Sequence, residues 1–305
     1  MQRRYNIVDS KLVEVECDPC LVTIYIAPDD QEKKYLVETL KLDEHTLNSA
    51  LDPDELSRLE FEPEHVALIY KRPKSYTGEE QFLFKVGSIG AFLFRDRLLV
   101  VMAEDVPLFN TTTPLRFKSP AYVLLRLIYR AIYHFLEHLK VIASISDELQ
   151  DKINRSMENR HLLNLFTLEK SLVYYLNSIN SNGVLLDKLK NSATKLGLSV
   201  DETELLDDTQ IENNQCYKQA EIYSNIVASL MDARASIVGN NLNVLMKTLN
   251  IITIAIMVPT FVVSAFSMNV AIPMQKHPWA FWMIMGMAIL SVICFVIFWR
   301  RKKWW

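Results

Sequence analysis

Residues 248–275 read TLNIITIAIMVPTFVVSAFSMNVAIPMQ, and residues 279–299 read WAFWMIMGMAILSVICFVIFW. Neither stretch contains Asp, Glu, Lys or Arg, although 23% of the chain is charged. An apolar helix crosses ~30 Å of hydrocarbon with about 20 residues, so each stretch is long enough to span. Buried helices of soluble proteins seldom run so far without a charge. The basic run Arg300-Arg301-Lys302-Lys303 follows the second stretch and is expected to stay cytoplasmic. Two spans with both ends inside form a hairpin whose loop, about 270–278, faces outward. Trp279, Trp282, Trp299, Trp304 and Trp305 fall where an aromatic belt anchors the second span.

Polar residues within the first span share one face. Asn250, Thr253, Thr260, Ser264 and Ser267 are spaced 3, 7, 4 and 3 apart, the a and d positions of a heptad. The same register takes in Asn243, Met246 and Met257, while Ile251, Ile252, Ile254, Ile256, Phe261 and Val262 are apolar. The second span has no such stripe. Two readings follow: hydrogen-bonding glue between membrane helices, or the lining of a pore built from several copies. Two spans cannot enclose a channel, so the second reading requires an oligomer. The stripe carries amides and hydroxyls but no carboxylate, which suits a hydrated cation in passage rather than a stripped ion held tightly. Met246, Leu249 and Met257 then stand as apolar constrictions able to gate by dewetting.

Upstream, Met1 to Lys247 reads as an ordinary soluble sequence, in a chain of 305 residues with room for two domains. Met1 to Ser10 is polar, with neither the apolar core of a signal peptide nor a mitochondrial targeting pattern. The expected location is therefore the plasma (inner) membrane of a bacterial cell, with a cytosolic N-terminal part. The net charge of −3 points to no nucleic-acid partner. Cys17 and Cys20 form a lone C-x-x-C without the second ligand pair that zinc needs. Residues 1–115 mix strand signals (Leu21–Ile26, Val66–Tyr70, Gln81–Val86, Leu98–Met102) with a helical pattern over Asp30–Ala50, an α/β domain. After Pro120 no proline occurs until Pro259, so 116–247 is read as long helices. Their expected spans are about Ser119–Ser156, about Asn159–Asn180, a short one after Ser181-Asn182-Gly183, and a last one from about Asp201 to Phe266. That last helix would reach roughly 100 Å and would couple the soluble domain to the membrane, with Ser199, Asp201 or Thr203 as its N-cap. Residues 248–305 form the membrane domain, with spans at about 248–267 and 279–299, an outer loop 268–278 and a tail 300–305. His134 and His138 lie one turn apart, but without an H-E-x-x-H arrangement; packing is the favoured reading. No phosphate loop and no nucleophile constellation is present, so neither an enzyme nor ATP-driven transport is supported, and no organic cofactor is implied.

The run Leu230-Met231-Asp232-Ala233-Arg234, then Asn240-Asn241-Leu242-Asn243-Val244-Leu245-Met246-Lys247-Thr248-Leu249, resembles the stalk and pore mouth of CorA-type magnesium transporters. Val258-Pro259-Thr260-Phe261 and Phe266-Ser267-Met268-Asn269-Val270 stand where that family has its Gly-Met-Asn signature, and the basic tail is similar too. The resemblance implies a homopentamer in the lipid bilayer, with a funnel-shaped cytosolic domain and the first spans around the axis. It implies a selectivity filter at Ser267, Met268 and Asn269. It further implies pore lining and gating by Asn243, Met246, Leu249, Asn250, Thr253, Met257 and Thr260, with Ser264 on the same stripe. Asp208, in an acidic helix start with Asp201, Glu202, Glu204, Asp207 and Glu212, matches by spacing a carboxylate that holds a regulatory divalent ion between subunits, with Asp96 a candidate partner. The alternative for Asp208 is a solvated helix start favoured by the dipole. Magnesium would be both cargo and regulator. Two features depart from the family pattern: Ser267 replaces the signature glycine, and 271–278 has Lys276 but no acid. They keep open a transporter of zinc or another divalent metal, and a non-conducting scaffold or sensor of the same fold.

Overall fold

A computed structural model describes residues 1–8, 11–16, 20–76, 82–109, 117–155, 159–269 and 277–301. Residues 270–276 of the expected outer loop, tail residues 302–305 with Trp304 and Trp305, and Cys17 and Pro19 lie outside the described residues. The chain divides into two compact units, Met1–Met231 and Asp232–Trp305.

The first unit is built on one seven-stranded sheet. Its strands are β1 (Gln2–Val8), β2 (Lys11–Glu14), β3 (Val22–Ile26), β4 (Arg58–Phe61), β5 (Val66–Pro73), β6 (Val86–Leu93) and β7 (Leu98–Met102). Their spatial order is β2-β1-β3-β7-β6-β5-β4. β3 and β7 pair in parallel, Val22 opposite Leu98 through Ile26 opposite Met102, and the remaining neighbours are antiparallel. Central strands are apolar on both sides because both faces are covered. One face carries a small core around Leu36, Leu47, Phe92 and Val101, under helices α1 (Asp30–Glu38) and α2 (Glu44–Leu51). The other carries a larger core in which Leu68, Tyr70 and Val100 meet Ile128, Phe135, Leu172 and Tyr175. The latter four belong to helices α3 (Pro120–Arg155) and α4 (Asn159–Asn191).

Three expectations are corrected. The pattern over Asp30–Ala50 is two helices, because the sequence holds two N-cap aspartates. Asp29 accepts from the Glu32 N–H at 2.7 Å while the Glu32 carboxylate accepts from the Asp29 N–H at 3.1 Å, a capping box. Asp43 caps α2 through the Thr46 N–H at 2.8 Å, and Lys41 turns the chain between them at φ 56°. The strand expected at Gln81–Val86 starts only at Val86. Phe84 leaves the ladder for the core, its N–H donating to Ser171 Oγ at 3.0 Å and its ring against Tyr76, His138 and Tyr175.

The third correction is that α4 runs unbroken through Ser181-Asn182-Gly183. These residues signal a turn in isolation, but here they fit a helix against a strand. β4 pairs with β5 only as far as Arg58 opposite Ile69, so the outer edge of Lys71 has no strand partner. The fully buried Asn182 amide takes that place. Its Oδ1 accepts from the Lys71 N–H at 2.8 Å and from Ser57 Oγ at 2.8 Å, and its Nδ2 donates to the Lys71 carbonyl at 2.9 Å. Ser181 Oγ accepts from the Ser57 N–H at 2.6 Å. Gly183 is small because a Cβ there would lie 3.0 Å from Asn213 Nδ2.

After the short α5 (Ala193–Leu196), Gly197 closes the turn in the left-handed region at φ 67°, and helix α6 (Val200–Phe266) follows. Of the expected caps, Ser199 is the one used. Its N–H and Oγ donate to the Glu202 carboxylate at 2.7 and 2.9 Å, and Ser119 Oγ, at the start of α3, donates to the same carboxylate. Lys118 pairs with Asp201 alongside. Leu205, Leu206, Cys216, Ala220 and Val227 of α6 then join the larger core. The second unit holds the remainder of α6 and helix α7 (Ala280–Arg301). α6 and α7 each contain a window apolar enough to cross a membrane.

Candidate functional site

In the second unit the residues of α6 sort by exposure. Ile251, Ala255, Val258, Pro259, Val262 and Phe266 are half-covered. At about 100° per residue they fall on one side of the helix. Ala280, Ile284, Ala288, Ser291, Val292, Phe295 and Trp299 form the matching covered row of α7, with Ala288 buried. A groove between the two helices is bounded by Pro259, Val263 and Ser264 on α6 and by Met285, Ala288 and Val292 on α7. Asn243, Met246, Leu249, Asn250, Thr253, Met257, Thr260 and Ser264 are all exposed. Their mean direction is about 180° from the covered row. The polar stripe therefore does not join the two spans of one chain; only Thr260 and Ser264 border the groove.

The hydroxyls on the stripe have a fixed polarity. Thr253 Oγ1 donates to the Leu249 carbonyl at 2.9 Å, and Thr260 Oγ1 to the Ile256 carbonyl at 2.6 Å. With the Thr253 and Thr260 hydroxyl protons spent on their own helix, those oxygens' lone pairs are left outward as acceptors. An array of acceptors at that spacing takes the protons of water, and hence the hydration shell of a cation. Pro259 supplies no N–H to the Ala255 carbonyl, so one carbonyl of the first span lacks its helical bond. In lipid such a group needs a protein or water contact, and Ala255 lies in the covered row.

α6 stops at Phe266. Ser267 continues it by one tight turn, its N–H donating to the Ser264 carbonyl at 3.1 Å and its Oγ to the same carbonyl at 2.9 Å. Ser267 is not among the residues with positive φ, so its Cβ meets no backbone conflict here. Met268 and Asn269 are exposed beside it. Trp279 and Trp282, at the start of the second span, are 71% and 69% exposed, as an interfacial anchor requires.

The acidic start of α6 is more committed than its composition suggests. Asp201 and Glu202 are engaged as described, and Asp207 pairs with Lys190 at 2.9 Å. Burial alone would raise the Glu202 carboxyl, but hydrogen bonds from Ser119 and Ser199 outweigh it and hold it below the ordinary value. Asp208 is exposed and borders a surface hollow with Thr203, Glu204 and Asp207. Asp96 sits in the exposed turn between β6 and β7. Among the described residues of one chain, no group of three or more His, Cys, Asp or Glu is placed to hold a metal. Cys20 is buried against Thr23 Oγ1 at 3.1 Å. His138 Nδ1 shares a 2.6 Å hydrogen bond with Tyr175 Oη in the core of the first unit, with the His134 ring 4.3 Å away. The Ser119–Glu202 brace and the Asn182 contact escaped sequence reasoning; the Ser199-x-x-Glu202 capping-box spacing was the signal for the first.

Comparison with known proteins adds the family. The family model for CorA-like Mg2+ transporter protein matches residues 24–302. The cobalt/magnesium transport protein CorA of Methanocaldococcus jannaschii is 25% identical over 312 aligned residues, covering 98% of this chain and 96% of that protein. The complete structure of the CorA magnesium transporter from the same organism superposes with a TM-score of 0.86 at 20% identity, covering 100% of this chain and 99% of that one. The full-length CmaX protein has the same fold, with a TM-score of 0.74 at 16% identity over 99% of this chain and 97% of its own. A membrane protein with an N-terminal α/β domain and two apolar C-terminal helices, this chain belongs to the family of CorA-like Mg2+ transporter proteins.

Proposed function

We propose that the chain assembles as a homopentamer in the plasma (inner) membrane and passes Mg2+ or a related divalent cation down its electrochemical gradient. The polar face of α6 lines the pathway, α7 lies outside it toward lipid, and both termini are cytoplasmic. The observation that carries this reading is the direction of the stripe: Asn243, Met246, Asn250, Thr253, Met257, Thr260 and Ser264 point away from the covered row and stay exposed. A band of amides and outward oxygens left facing lipid would be costly. Around a symmetry axis the same band is wetted and useful. Ser267, Met268 and Asn269 form the outer filter, with Asn269 binding the cation through its water shell. Met246, Leu249 and Met257 form apolar rings that close by expelling water.

Domain roles follow. Residues 1–115 and 116–247 form the cytosolic sensor and its helical lever, and 248–305 the conducting part. Asp208 is exposed and, like Glu204 and Glu212 of the same acidic helix start, without an ion-pair partner among the described residues; its spacing makes it the residue assigned to a regulatory divalent ion. Its remaining ligands, Asp96 among them, would come from a neighbouring copy. A membrane potential of 100 mV contributes ~2.3 kcal/mol per elementary charge, enough to drive entry without ATP.

The test is dye-reported Mg2+ uptake into proteoliposomes holding wild type, Asn269→Ala or Ser267→Gly, with and without Zn2+ outside. Uptake in wild type, strongly reduced in Asn269→Ala and little changed in Ser267→Gly, supports the pathway. Uptake of Zn2+ with Mg2+ acting only as a competitor would transfer the reading to a zinc carrier. Silence of wild type and Ser267→Gly toward both ions, in an intact oligomer, would replace transport with a scaffold or sensor role.

A further inference from the structure

A second polar cluster lies in the first unit, beneath the sheet face that α3 covers. Tyr70 and Arg72 are two apart on β5 and so share a face, and that face looks onto Arg130, His134 and His138, one turn apart along α3. Arg72 is 6% exposed and Tyr70 fully buried. Arg130 and His134 are half-buried, so the cluster reaches solvent on one side. Its members sense one another: after burial, Arg72 and Arg130 are among the groups that depress His134, and Arg130 further depresses Arg72.

Among the described residues, no carboxylate pairs with Arg72 or Arg130. Arg72 Nη2 donates to the Pro107 carbonyl at 2.9 Å, its one hydrogen bond among the described residues. Four polar atoms of the cluster are buried without a hydrogen-bond partner among the described residues: Tyr70 Oη, Arg72 Nε, Arg130 Nε and His134 Nδ1. Buried polar groups are as a rule hydrogen-bonded, and a buried guanidinium is paired. Two guanidiniums, a phenol and an imidazole converging without an acid form a donor set that lacks an acceptor. A tetrahedral oxyanion offers acceptors in several directions at once, and guanidinium edges match its geometry.

We propose that Tyr70, Arg72, Arg130 and His134 form a binding site for one small tetrahedral oxyanion of the phosphate or sulfate class, seated between β5 and α3. The site is separate from the proposed ion pathway. Because it joins strand to helix within the first unit, occupancy stiffens the sheet against α3.

The test uses the full chain in detergent. Thermal unfolding is followed in phosphate, sulfate and chloride, each against gluconate at equal ionic strength, and bound phosphate is counted by equilibrium dialysis with radiolabelled inorganic phosphate. A saturable rise in melting temperature with phosphate or sulfate, at one ion per chain, is expected. Arg130→Gln and His134→Gln, at half-buried positions, should weaken binding tenfold or more without changing the circular dichroism. Tyr70→Phe provides the internal check: removing an unpaired buried hydroxyl should raise the melting temperature in gluconate yet reduce the gain from phosphate. Absence of saturable binding by either oxyanion, saturation by chloride alone, or phosphate binding undiminished in both Arg130→Gln and His134→Gln would overturn the proposal.

Discussion

Replacing Asn182 with alanine isolates the contact that the sequence disguises most. Its amide makes three hydrogen bonds at 2.8, 2.8 and 2.9 Å in a fully buried position. The alanine strands both the N–H and the carbonyl of Lys71 beyond the end of β4, where no strand reaches them. Each buried group left unsatisfied costs about 1–3 kcal/mol. With some relief by water, the expected loss is about 2–5 kcal/mol. For a unit of this size 1 kcal/mol moves the midpoint by about 2–4 °C, so a fall of roughly 5–15 °C is expected. The assay is thermal unfolding of the full chain in detergent by circular dichroism, with Asn180→Ala as control. Asn180 sits two residues away on the exposed side of α4, and its replacement should stay within about 0.5 kcal/mol of wild type. Equal midpoints for the two variants would refute the reasoning that the Asn182 side chain stands in for a strand.

Three further outcomes follow from the geometry. Burial, with Arg72 near both and Arg130 and His138 near the first, holds His134 down to about 3 and His138 to about 4. The unfolded chain takes up protons below about 6.5 that the folded chain refuses, so the stability of the first unit should be full above that pH and fall from about 6.5 to about 3; His134→Gln should flatten part of that slope in a melting-temperature profile. Glu202→Gln removes the charge that Ser119 and Ser199 bind and should cost about 1–2 kcal/mol, with faster amide exchange over 199–203; because this carboxyl is depressed, the stability it gives is present above its ordinary value and is lost as pH falls through the lower one. Thr260→Val keeps the side-chain volume and removes the outward oxygen, so proteoliposome Mg2+ uptake should drop by roughly 2–10-fold, the equivalent of one hydrogen bond of 0.5–1.5 kcal/mol, with no loss of oligomer on gel filtration.

The membrane spans could be read from sequence because lipid imposes a rule of length and charge that no tertiary contact relaxes. The heptad spacing of Asn250, Thr253, Thr260 and Ser264 likewise fixed a face, but not what that face meets; only the covered row of Ile251, Ala255, Val258 and Val262 shows that it is not the chain's own second span. In the first unit, strands with a strong apolar run, Val22–Ile26 and Leu98–Met102, stand out in the sequence. The misreadings arose where tertiary contact overrode local preference. Ser181-Asn182-Gly183 is turn-like alone and helical against Lys71, and Phe84 looks like a strand residue but belongs to the aromatic core. The basic cluster at Arg72 and Arg130 was invisible because its members lie on a strand and a helix far apart in sequence. Asp208 was singled out by spacing; Asp201, Glu202 and Asp207 are engaged, while Glu204 and Glu212 share with Asp208 the lack of an ion pair among the described residues, so spacing alone sets it apart.

The central claim, that one face of α6 lines the ion pathway, is tested most directly by single cysteines placed around the first span in a chain whose own cysteines are replaced by alanine. Thr253→Cys, Met257→Cys and Thr260→Cys report the stripe; Ile252→Cys and Val263→Cys, exposed on a different side, report the flank. Proteoliposomes are treated with a small charged thiol reagent and Mg2+ uptake is measured before and after. The stripe positions should lose uptake on modification while the flank positions keep it. Block at Ile252 and Val263 with the stripe unaffected, or equal block on both faces, would contradict the account.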